Sequence, residues 1–534
     1  MRNHILHTLL PAMAAAVLGA QAVHGQAPAT PQGFITAKEY YGIGGVNVAD
    51  LTGNAKYPNA ADAVFYPKQF EWPTGADGRG GPAGQELDRP PGNVIDNYGV
   101  MIEGYFYPNR TGAHVFALAA DDGADLFLST DADPAKAVQI ATEPQWNPVR
   151  AFGTSGDGRR PTVDANTADE RKSNLSKPIN LTSGRPYYIR ARMKEAGGGD
   201  NLAVAVGDSY ASITDESLPI GGNQLSSIDR TDITLPYFGG LSGQANGFDF
   251  GVNDGQGKTV ASATAKLNGA SVPVTLTTRG GSRFITYRIA NVAQYLPSGS
   301  THRVEAELTD SAGGKQTRTA NFTVGAYAAL NPGHKVTSAT QRGINHRVYQ
   351  AEGGRPGGNA RWAADDALNG YQLDPLTGQP FPNVADASGT GFTDTVNWEQ
   401  NGGDDGGQNF DSDSPASDPR PNAAIPGIGG AGTDNIAAEV WGFLELPAGL
   451  IRLGVNSDDG FRLSFAGGAP DQFGIQSGIF DGGRGASDSL FDIVVPEAGI
   501  YPYRLTWWEG GGGANVEWFS VDLNTGVRTL INDP

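Results

Sequence analysis

The segment "ALAADDGADLFLS" begins at Ala117, and the segment "GVNSDDGFRLSFA" begins at Gly454. Each places Asp-Asp-Gly between two short runs in which apolar residues alternate with other residues. Such alternation is typical of strands with one buried face, so each Asp-Asp-Gly is predicted to lie between two β-strands. Taken alone, the motif is open to three readings: a plain hairpin turn, a calcium site, or half of the acid/base pair of a hydrolase.

The similarity of the two segments extends well beyond these motifs. Upstream, "DNYGVMIEG" from Asp96 parallels "DNIAAEVWG" from Asp434. Downstream, residues 195–201 and 509–515 both read Glu, one variable residue, three glycines, another variable residue and Asn. The sequence therefore predicts one domain type that occurs twice.

The segment between the two copies has a different character. Across 228–326, short alternating runs such as "VPVTLTT" and "FITYRIA" are separated by turn-forming residues. This pattern predicts an immunoglobulin-like β-sandwich without a candidate site. The predicted fold class is all-β, with antiparallel sandwiches at 33–212 and 335–530 on either side of the immunoglobulin-like one.

Composition narrows the classes of partner. The chain has 534 residues, no cysteine and a formal net charge of -19. The absence of cysteine excludes disulfides and thiolate metal sites, and the negative charge disfavours nucleic acid and anionic membranes as partners. Residues 1–25 read as a secretory signal peptide, because their apolar stretch is too short to span a bilayer. We therefore expect a secreted or cell-surface protein without a membrane span.

The ordered set of motifs resembles the protective-antigen-type (PA14) family of lectin-like β-sandwich domains. In the lectin members, two consecutive aspartates joined by a cis peptide hold a calcium ion that coordinates vicinal sugar hydroxyls. The matching positions in this sequence are Asp121, Asp122, Asp458 and Asp459. An asparagine from a later loop often completes the family's site, and the resemblance assigns that role to Asn201 and Asn515.

Two adjacent carboxylates favour a calcium site on physical grounds as well, independently of the family. Adjacent side chains on a regular strand point to opposite faces, so two neighbouring carboxylates reach one ion only if the backbone is distorted. Calcium accepts six to eight oxygens in irregular geometry, whereas magnesium holds its waters more tightly.

The second copy offers additional candidate ligands. Asn456 supplies an oxygen-bearing side chain just before the aspartates, where the first copy has alanine. Trp508 falls on a polar face and is a candidate for stacking against a sugar ring, although a bulge or a domain contact would also explain it. The acidic segment from Asp404 to Asp418 lacks the glycine and glutamate of an EF-hand loop and is interpreted as a solvated loop.

These observations favour a noncatalytic, calcium-assisted protein that binds glycan or extracellular polysaccharide, in the manner of an adhesin. No nucleophile elbow, zinc-protease motif or phosphate-binding loop is present. Two alternatives stay open: a structural assembly protein whose loops calcium rigidifies, and the accessory region of a carbohydrate-active enzyme. Self-association is not decided by the sequence.

Overall fold

The computed structural model describes most of the chain. The described residues are 27–73, 96–153, 172–197, 200–215, 217–230, 232–279, 282–339, 343–351, 359–400, 408–410, 423–428 and 432–533. The predicted signal peptide and nearly all of the acidic segment at 404–418 lie outside them. Within these ranges, the chain forms no helix with the length and apolar character needed to cross a membrane.

The N-terminal unit is a two-layer sandwich. Its elements are β1 Thr36–Tyr41, α1 Val48–Thr52, β2 Ala63–Phe65, β3 Glu71–Trp72, β4 Tyr98–Phe106, β5 Gly112–Asp121, β6 Gly123–Leu128, β7 Val138–Glu143, β8 Ile179–Leu181, β9 Tyr187–Glu195, β10 Asn201–Gly207 and β11 Leu225–Ser227. One sheet has the order β2-β1-β4-β9-β6-β7, with β11 also paired to β4, and the other has the order β3-β10-β5-β8. All of their pairings are antiparallel.

The alternation around the first Asp-Asp-Gly places side chains as predicted, with one difference. Phe116 and Leu118 point into the core between the two sheets. The opposite face of β5 is also buried, because alternate residues there pack against Phe152 and Leu175. Both of these residues belong to the long segment between β7 and β8, so part of this segment covers the sheet.

The middle unit is a smaller β-sandwich. Its strands are β12 Tyr237–Gln244, β13 Gly247–Asn253, β14 Val260–Leu267, β15 Ala270–Val272, β16 Thr275–Arg279, β17 Ser282–Arg288, β18 Thr301–Asp310 and β19 Lys315–Thr323. They form two four-stranded sheets, β12-β13-β17-β16 and β15-β14-β18-β19, around one apolar core.

The C-terminal unit is a larger sandwich. Its elements are β20 Tyr327–Ala329, β21 Ile344–Gln350, α2 Arg361–Asn369, β22 Thr390–Thr393, β23 Asn397–Glu399, β24 Ala423–Ala424, β25 Ile436–Leu446, β26 Gly449–Asp458, β27 Gly460–Phe465, β28 Ile475–Phe480, β29 Ser487–Val495, β30 Gly499–Glu509, β31 Asn515–Val521 and β32 Arg528–Leu530. The sheets run β20-β29-β26-β31-β23-β24, with β32 on β31, and β22-β21-β25-β30-β27-β28. Two pairings, β20 with β29 and β23 with β24, are parallel, which the antiparallel prediction did not include.

The strand orders of the two outer units correspond. The order β1-β4-β9-β6-β7 matches β21-β25-β30-β27-β28, and β3-β10-β5-β8 matches β23-β31-β26-β29. Gly112 and Gly449 open the equivalent strands β5 and β26 with φ of +129° and +136°, a conformation that favours glycine.

Both joints between units are packed. The Arg230 guanidinium lies 4.9 Å from the ring centroid of Phe34, 5.2 Å from that of Tyr66 and 4.3 Å from that of Tyr237. Because Tyr237 belongs to β12, this stack connects the N-terminal and middle units. At the other joint, Val494 of β29 is part of the apolar core of the middle unit. Strand β20, which follows the middle unit along the chain, pairs with β29 in a sheet of the C-terminal unit.

Candidate functional site

Each Asp-Asp-Gly connects the two layers of its sandwich. β5 and β6 lie in different sheets, and so do β26 and β27. The motif is therefore a crossing between sheets and not a hairpin turn. The peptide bonds Asp121-Asp122 and Asp458-Asp459 are both cis, the geometry that the family resemblance implied.

The first cluster consists of Asp121, Asp122 and Glu195. Each contributes one carboxylate oxygen, and these oxygens lie within 4.8 Å of one another. Glu195 ends β9 and is buried. The backbone N–H of Ala196 donates to Asp122 at 3.3 Å. Sequence reasoning did not assign Glu195 to the site, although the glutamate shared by the two repeated segments was a signal for it.

Burial and mutual repulsion perturb the first cluster. Burial, together with the charges of Asp122, Asp121 and Asp200, raises the pKa of Glu195 to about 8. Burial also raises the pKa of Asp122. The pKa of the neighbouring Lys194 is lowered by burial, against the opposing effect of the carboxylates. In the absence of a cation, this cluster therefore retains a proton near neutral pH.

Asn201 lies beside the first cluster. It is the direct cross-strand partner of Asp121. Its Nδ2 donates to the carbonyl of Asn147 at 3.0 Å, which fixes the orientation of the amide. Its Oδ1 is buried and has no hydrogen-bond partner among the described residues. A buried amide oxygen in this condition is costly, and a cation would satisfy it.

The second cluster repeats this arrangement. Asp458, Asp459 and Glu509 place one oxygen each within 4.8 Å of one another. The backbone N–H of Gly510 donates to Asp459 at 3.0 Å, in the same manner as Ala196 to Asp122. Burial and the charges of Asp459 and Asp458 raise the pKa of Glu509 to about 9. Glu509 was likewise absent from the sequence-based site.

Asn515 occupies the position equivalent to Asn201. It pairs across the strands with Asp458, and its buried Oδ1 has no hydrogen-bond partner among the described residues. Its Nδ2 donates to Oδ1 of Asn456 at 2.9 Å, and Nδ2 of Asn456 donates to Asp488 at 2.8 Å. The amide oxygen of Asn456 is thus engaged by Asn515, so the structure supports a positioning role for Asn456.

Arg484 braces the second cluster from the loop between β28 and β29. Its backbone N–H donates to Oδ1 of Asp459 at 2.7 Å. Its guanidinium donates to the carbonyl of Ser457 at 3.0 Å and to the Ser457 hydroxyl at 2.8 Å. Burial lowers the pKa of Arg484 to about 10, against the opposing effect of nearby aspartates.

Asn359 is a further residue that sequence reasoning missed. It precedes α2, and its Oδ1 is buried without a hydrogen-bond partner in the part of the chain that the structure describes. A Cβ atom built on Gly510 would lie only 2.1 Å from this oxygen, and one built on Gly483 would lie 2.8 Å from Nδ2 of Asn359 and 3.2 Å from Asp459. Asn359 therefore packs against the same loops as the second cluster, and the absence of a side chain at Gly510 and Gly483 allows this close contact.

The stacking role predicted for Trp508 is wrong. Its side chain is fully buried, in a cluster with Ala364, Ala367 and Leu368 of α2. The helix covers the face of the sheet on which the alternation pattern had placed Trp508 among polar residues. The ring is therefore part of the core and presents no face to a sugar.

The donor set of each cluster fits a calcium ion. Three carboxylate oxygens and one amide oxygen are available, and calcium prefers oxygen ligands in irregular geometry. The unpartnered amide oxygens of Asn201 and Asn515 and the repulsion that contributes to the raised pKa values of the two glutamates are features that a bound cation would compensate.

Comparison with known proteins assigns the N-terminal cluster to a family. The profile of the PA14 domain matches residues 83–215, a range that contains Asp121, Asp122, Glu195 and Asn201. These residues are therefore part of a PA14 domain.

Similarity to individual proteins is more limited. The mouse enzyme N-acetyl-beta-glucosaminyl-glycoprotein 4-beta-N-acetylgalactosaminyltransferase 1 is 30% identical over 103 residues, which are 18% of this chain and 8% of the enzyme. The match thus spans less than a tenth of the enzyme's length.

Solved structures show similarity at low identity. An anti-sigma factor domain-containing protein is similar over 94% of this chain and 97% of its own, with 11% identity and a TM-score of 0.22. The epithelial adhesin 6 A domain of Candida glabrata, solved in complex with Galβ1-3GlcNAc, is similar over 38% of this chain and 90% of its own, with 14% identity and a TM-score of 0.24.

Proposed function

We propose that this protein is a noncatalytic carbohydrate-binding protein, secreted or held at a cell surface, that uses calcium to bind sugar. The match of residues 83–215 to the PA14 domain supports this proposal. The corresponding strand order and the second cluster of two aspartates and a glutamate support a second domain of the same type in the C-terminal unit. The two-sheet sandwich between them is assigned as the immunoglobulin-like domain.

The observation that carries the proposal is the asparagine beside each aspartate pair. Asn201 and Asn515 each carry an unpartnered, buried amide oxygen, and each pairs across the strands with the first aspartate of a cluster whose carboxylate oxygens lie within 4.8 Å of one another. A bound calcium ion would neutralise these carboxylates and leave coordination positions for vicinal hydroxyls of a sugar. The chain's own residues orient the donors, because Asn456 and the carbonyl of Asn147 each fix one amide.

The C-terminal cluster is the stronger candidate. Asn456 orients its amide ligand through a side chain, and Asn359 adds another buried amide oxygen above the same loops. In the N-terminal cluster, the buried Lys194 occupies the position of Trp508, since each pairs with the glycine of its Asp-Asp-Gly. The positive charge of Lys194 beside the carboxylates weakens the attraction for a cation there.

One observation favours a structural role as the alternative function. Asp459 accepts backbone hydrogen bonds from two loops, through Arg484 and Gly510. A calcium ion at this point would rigidify both loops whether or not a sugar is bound. The role of an accessory region in a carbohydrate-active enzyme is the remaining alternative.

Calcium titration of the wild type and of Asp458→Ala, followed by thermal shift and a glycan array, separates these functions. Asp471→Ala is the matched control, because its carboxylate accepts the N–H of Phe473 in the loop between β27 and β28 and belongs to neither cluster. We expect calcium to stabilise the wild type and the control and to permit both to bind to the array. In Asp458→Ala, the C-terminal site should give neither the stabilisation by calcium nor the binding to the array. Stabilisation without sugar binding would favour the structural role, and hydrolysis of an arrayed glycan would favour an enzyme.

A further inference from the structure

A large cavity lies between the two outer units. Its volume is about 1080 Å³, just above the range of roughly 300 to 1,000 Å³ that is usual for pockets of small ligands. The N-terminal unit contributes Asp96 and Gly197 to the wall, and the C-terminal unit contributes residues of β28, β29 and the loop that joins them. The cavity is therefore large enough for a chain of several sugar units.

A loop next to each carboxylate cluster contributes to the wall of this cavity. Gly197 belongs to the loop between Glu195 and Asn201, and a Cβ atom built on Gly197 would lie 3.7 Å from the Asp96 carboxyl group. On the other side, Arg484 lines the cavity while its backbone N–H holds Asp459. The cavity thus borders the loops of both clusters.

The packed joints hold the two sides of the cavity in place. The stack of three aromatic rings on Arg230 connects the N-terminal unit to the middle unit. The strand β20 and the shared apolar core connect the middle unit to the C-terminal unit. Aromatic and apolar joints of this kind restrict the motion that is otherwise expected between domains.

The lining favours a neutral sugar chain. Arg452 forms a bidentate ion pair with Asp492, at 2.8 and 3.0 Å. Asp488 accepts a hydrogen bond from Asn456. Asp488 also pairs with Arg528 at 2.7 Å, so these charges of the wall are compensated within the protein. Phe480 lies against the Arg484 guanidinium and Phe491 stacks on Phe461, which leaves the remaining, partly exposed surface of these two rings to contact sugar rings.

We propose that this cavity is a shared cleft in which one neutral oligosaccharide contacts both outer units at once. The inference rests on the proposed function, because it assumes that the clusters bind sugar. It adds that the two units act on a single ligand chain, and that affinity therefore increases with the length of the chain.

The test blocks the cleft without changing either cluster. Ala326 and Gln476 line the cavity and are exposed, so Ala326→Trp and Gln476→Trp fill it from two sides. Ala312→Trp, in an exposed turn of the middle unit away from the cavity, is the matched control. The probes are the sugars that bind best on an array of neutral mono- to hexasaccharides, and affinity is measured by calorimetry in calcium.

We expect the wild type and Ala312→Trp to bind the longest probe at least about tenfold more tightly than its disaccharide. Both cleft variants should lose this gain while they retain the affinity for the disaccharide. If the gain persists in them, or if the wild type binds all lengths equally, the shared cleft is wrong and the proposed function stands. If no probe binds to the wild type, the proposed function fails, and the cleft fails with it.

Discussion

Replacement of Glu509 by glutamine is expected to act in opposite directions with and without calcium. One carboxylate oxygen of Glu509 lies within 4.8 Å of oxygens of Asp458 and Asp459. Two ionised carboxylates at this distance repel by about 3 to 4 kcal/mol at an effective dielectric constant near 20. Burial and this repulsion raise the pKa of Glu509 from 4.5 to about 9.

The sign of the effect without calcium follows from this pKa. Between pH 4.5 and 9 the folded protein keeps a proton that the unfolded chain releases, so the free energy of unfolding falls as the pH rises through this interval. The upper limit of the slope is about 1.4 kcal/mol per pH unit. Solvent relaxation reduces this slope, and we expect the free energy of unfolding to fall by about 1 to 3 kcal/mol between pH 5 and 9. Because glutamine does not ionise, Glu509→Gln should be more stable than the wild type at pH 9 in EDTA.

Calcium reverses the order of stability of the wild type and Glu509→Gln. At a concentration 100 times its dissociation constant, an ion stabilises the folded protein by about 2.7 kcal/mol. For a domain of this size, that corresponds to an increase in Tm of about 5 to 10 °C. Glu509→Gln lacks one carboxylate ligand and should lose most of this increase.

Urea denaturation followed by tryptophan fluorescence is the assay, because six of the eight tryptophans belong to the C-terminal unit. Glu445→Gln is the control, since Glu445 is exposed on β25. The reasoning is refuted if Glu509→Gln keeps the wild-type calcium shift, or if it is less stable than the wild type at pH 9 in EDTA.

The remaining predictions concern other residues of the clusters and the core. Asn515→Ala should lower calcium affinity about 10- to 100-fold by calorimetry, and Asn456→Ala about tenfold because it acts through Asn515; equal affinities for both variants and the wild type would contradict the assignment. Trp508→Ala should destabilise the protein by about 3 to 5 kcal/mol and leave the pattern of sugars bound on an array unchanged, whereas a changed pattern would restore a role in binding. In EDTA, the free energy of unfolding of the N-terminal unit should fall as the pH rises from about 5 to 8, because burial raises the pKa of Glu195. Urea denaturation measures this dependence, and a free energy of unfolding that does not change with pH would contradict the prediction.

The alternation around Asp121 and Asp458 was sufficient to predict the strands but not their partners. A period of two assigns side chains to faces, and it carries no information on which sheet a strand joins. The sequence alone therefore did not reveal that the chain crosses from one sheet to the other at each Asp-Asp-Gly. The family resemblance pointed to Asn201 and Asn515. The glutamates Glu195 and Glu509 occur in the same repeated segments, but their place in the clusters follows from the fold, because β9 and β30 end at the same edge as β5 and β26.

The error at Trp508 has a different cause. Alternation placed Trp508 with Arg504 and Thr506 on a polar face, and the structure buries all three residues. Part of this face is covered by α2, a nine-residue helix whose sequence "RWAADDALN" has buried alanines and a leucine on one side. A short helix of this kind gives a weak periodic signal, and its docking site is a property of the tertiary fold.

We infer above all that the C-terminal cluster holds calcium and that this ion presents the sugar. Its most direct test is a crystal structure grown with calcium and with a glycan selected on the array. We expect an ion roughly 2.3 to 2.6 Å from oxygens of Asp458, Asp459, Glu509 and Asn515, with two sugar hydroxyls in its remaining positions. A glycan bound without contact to this ion, or no ion at the cluster at saturating calcium, would contradict it.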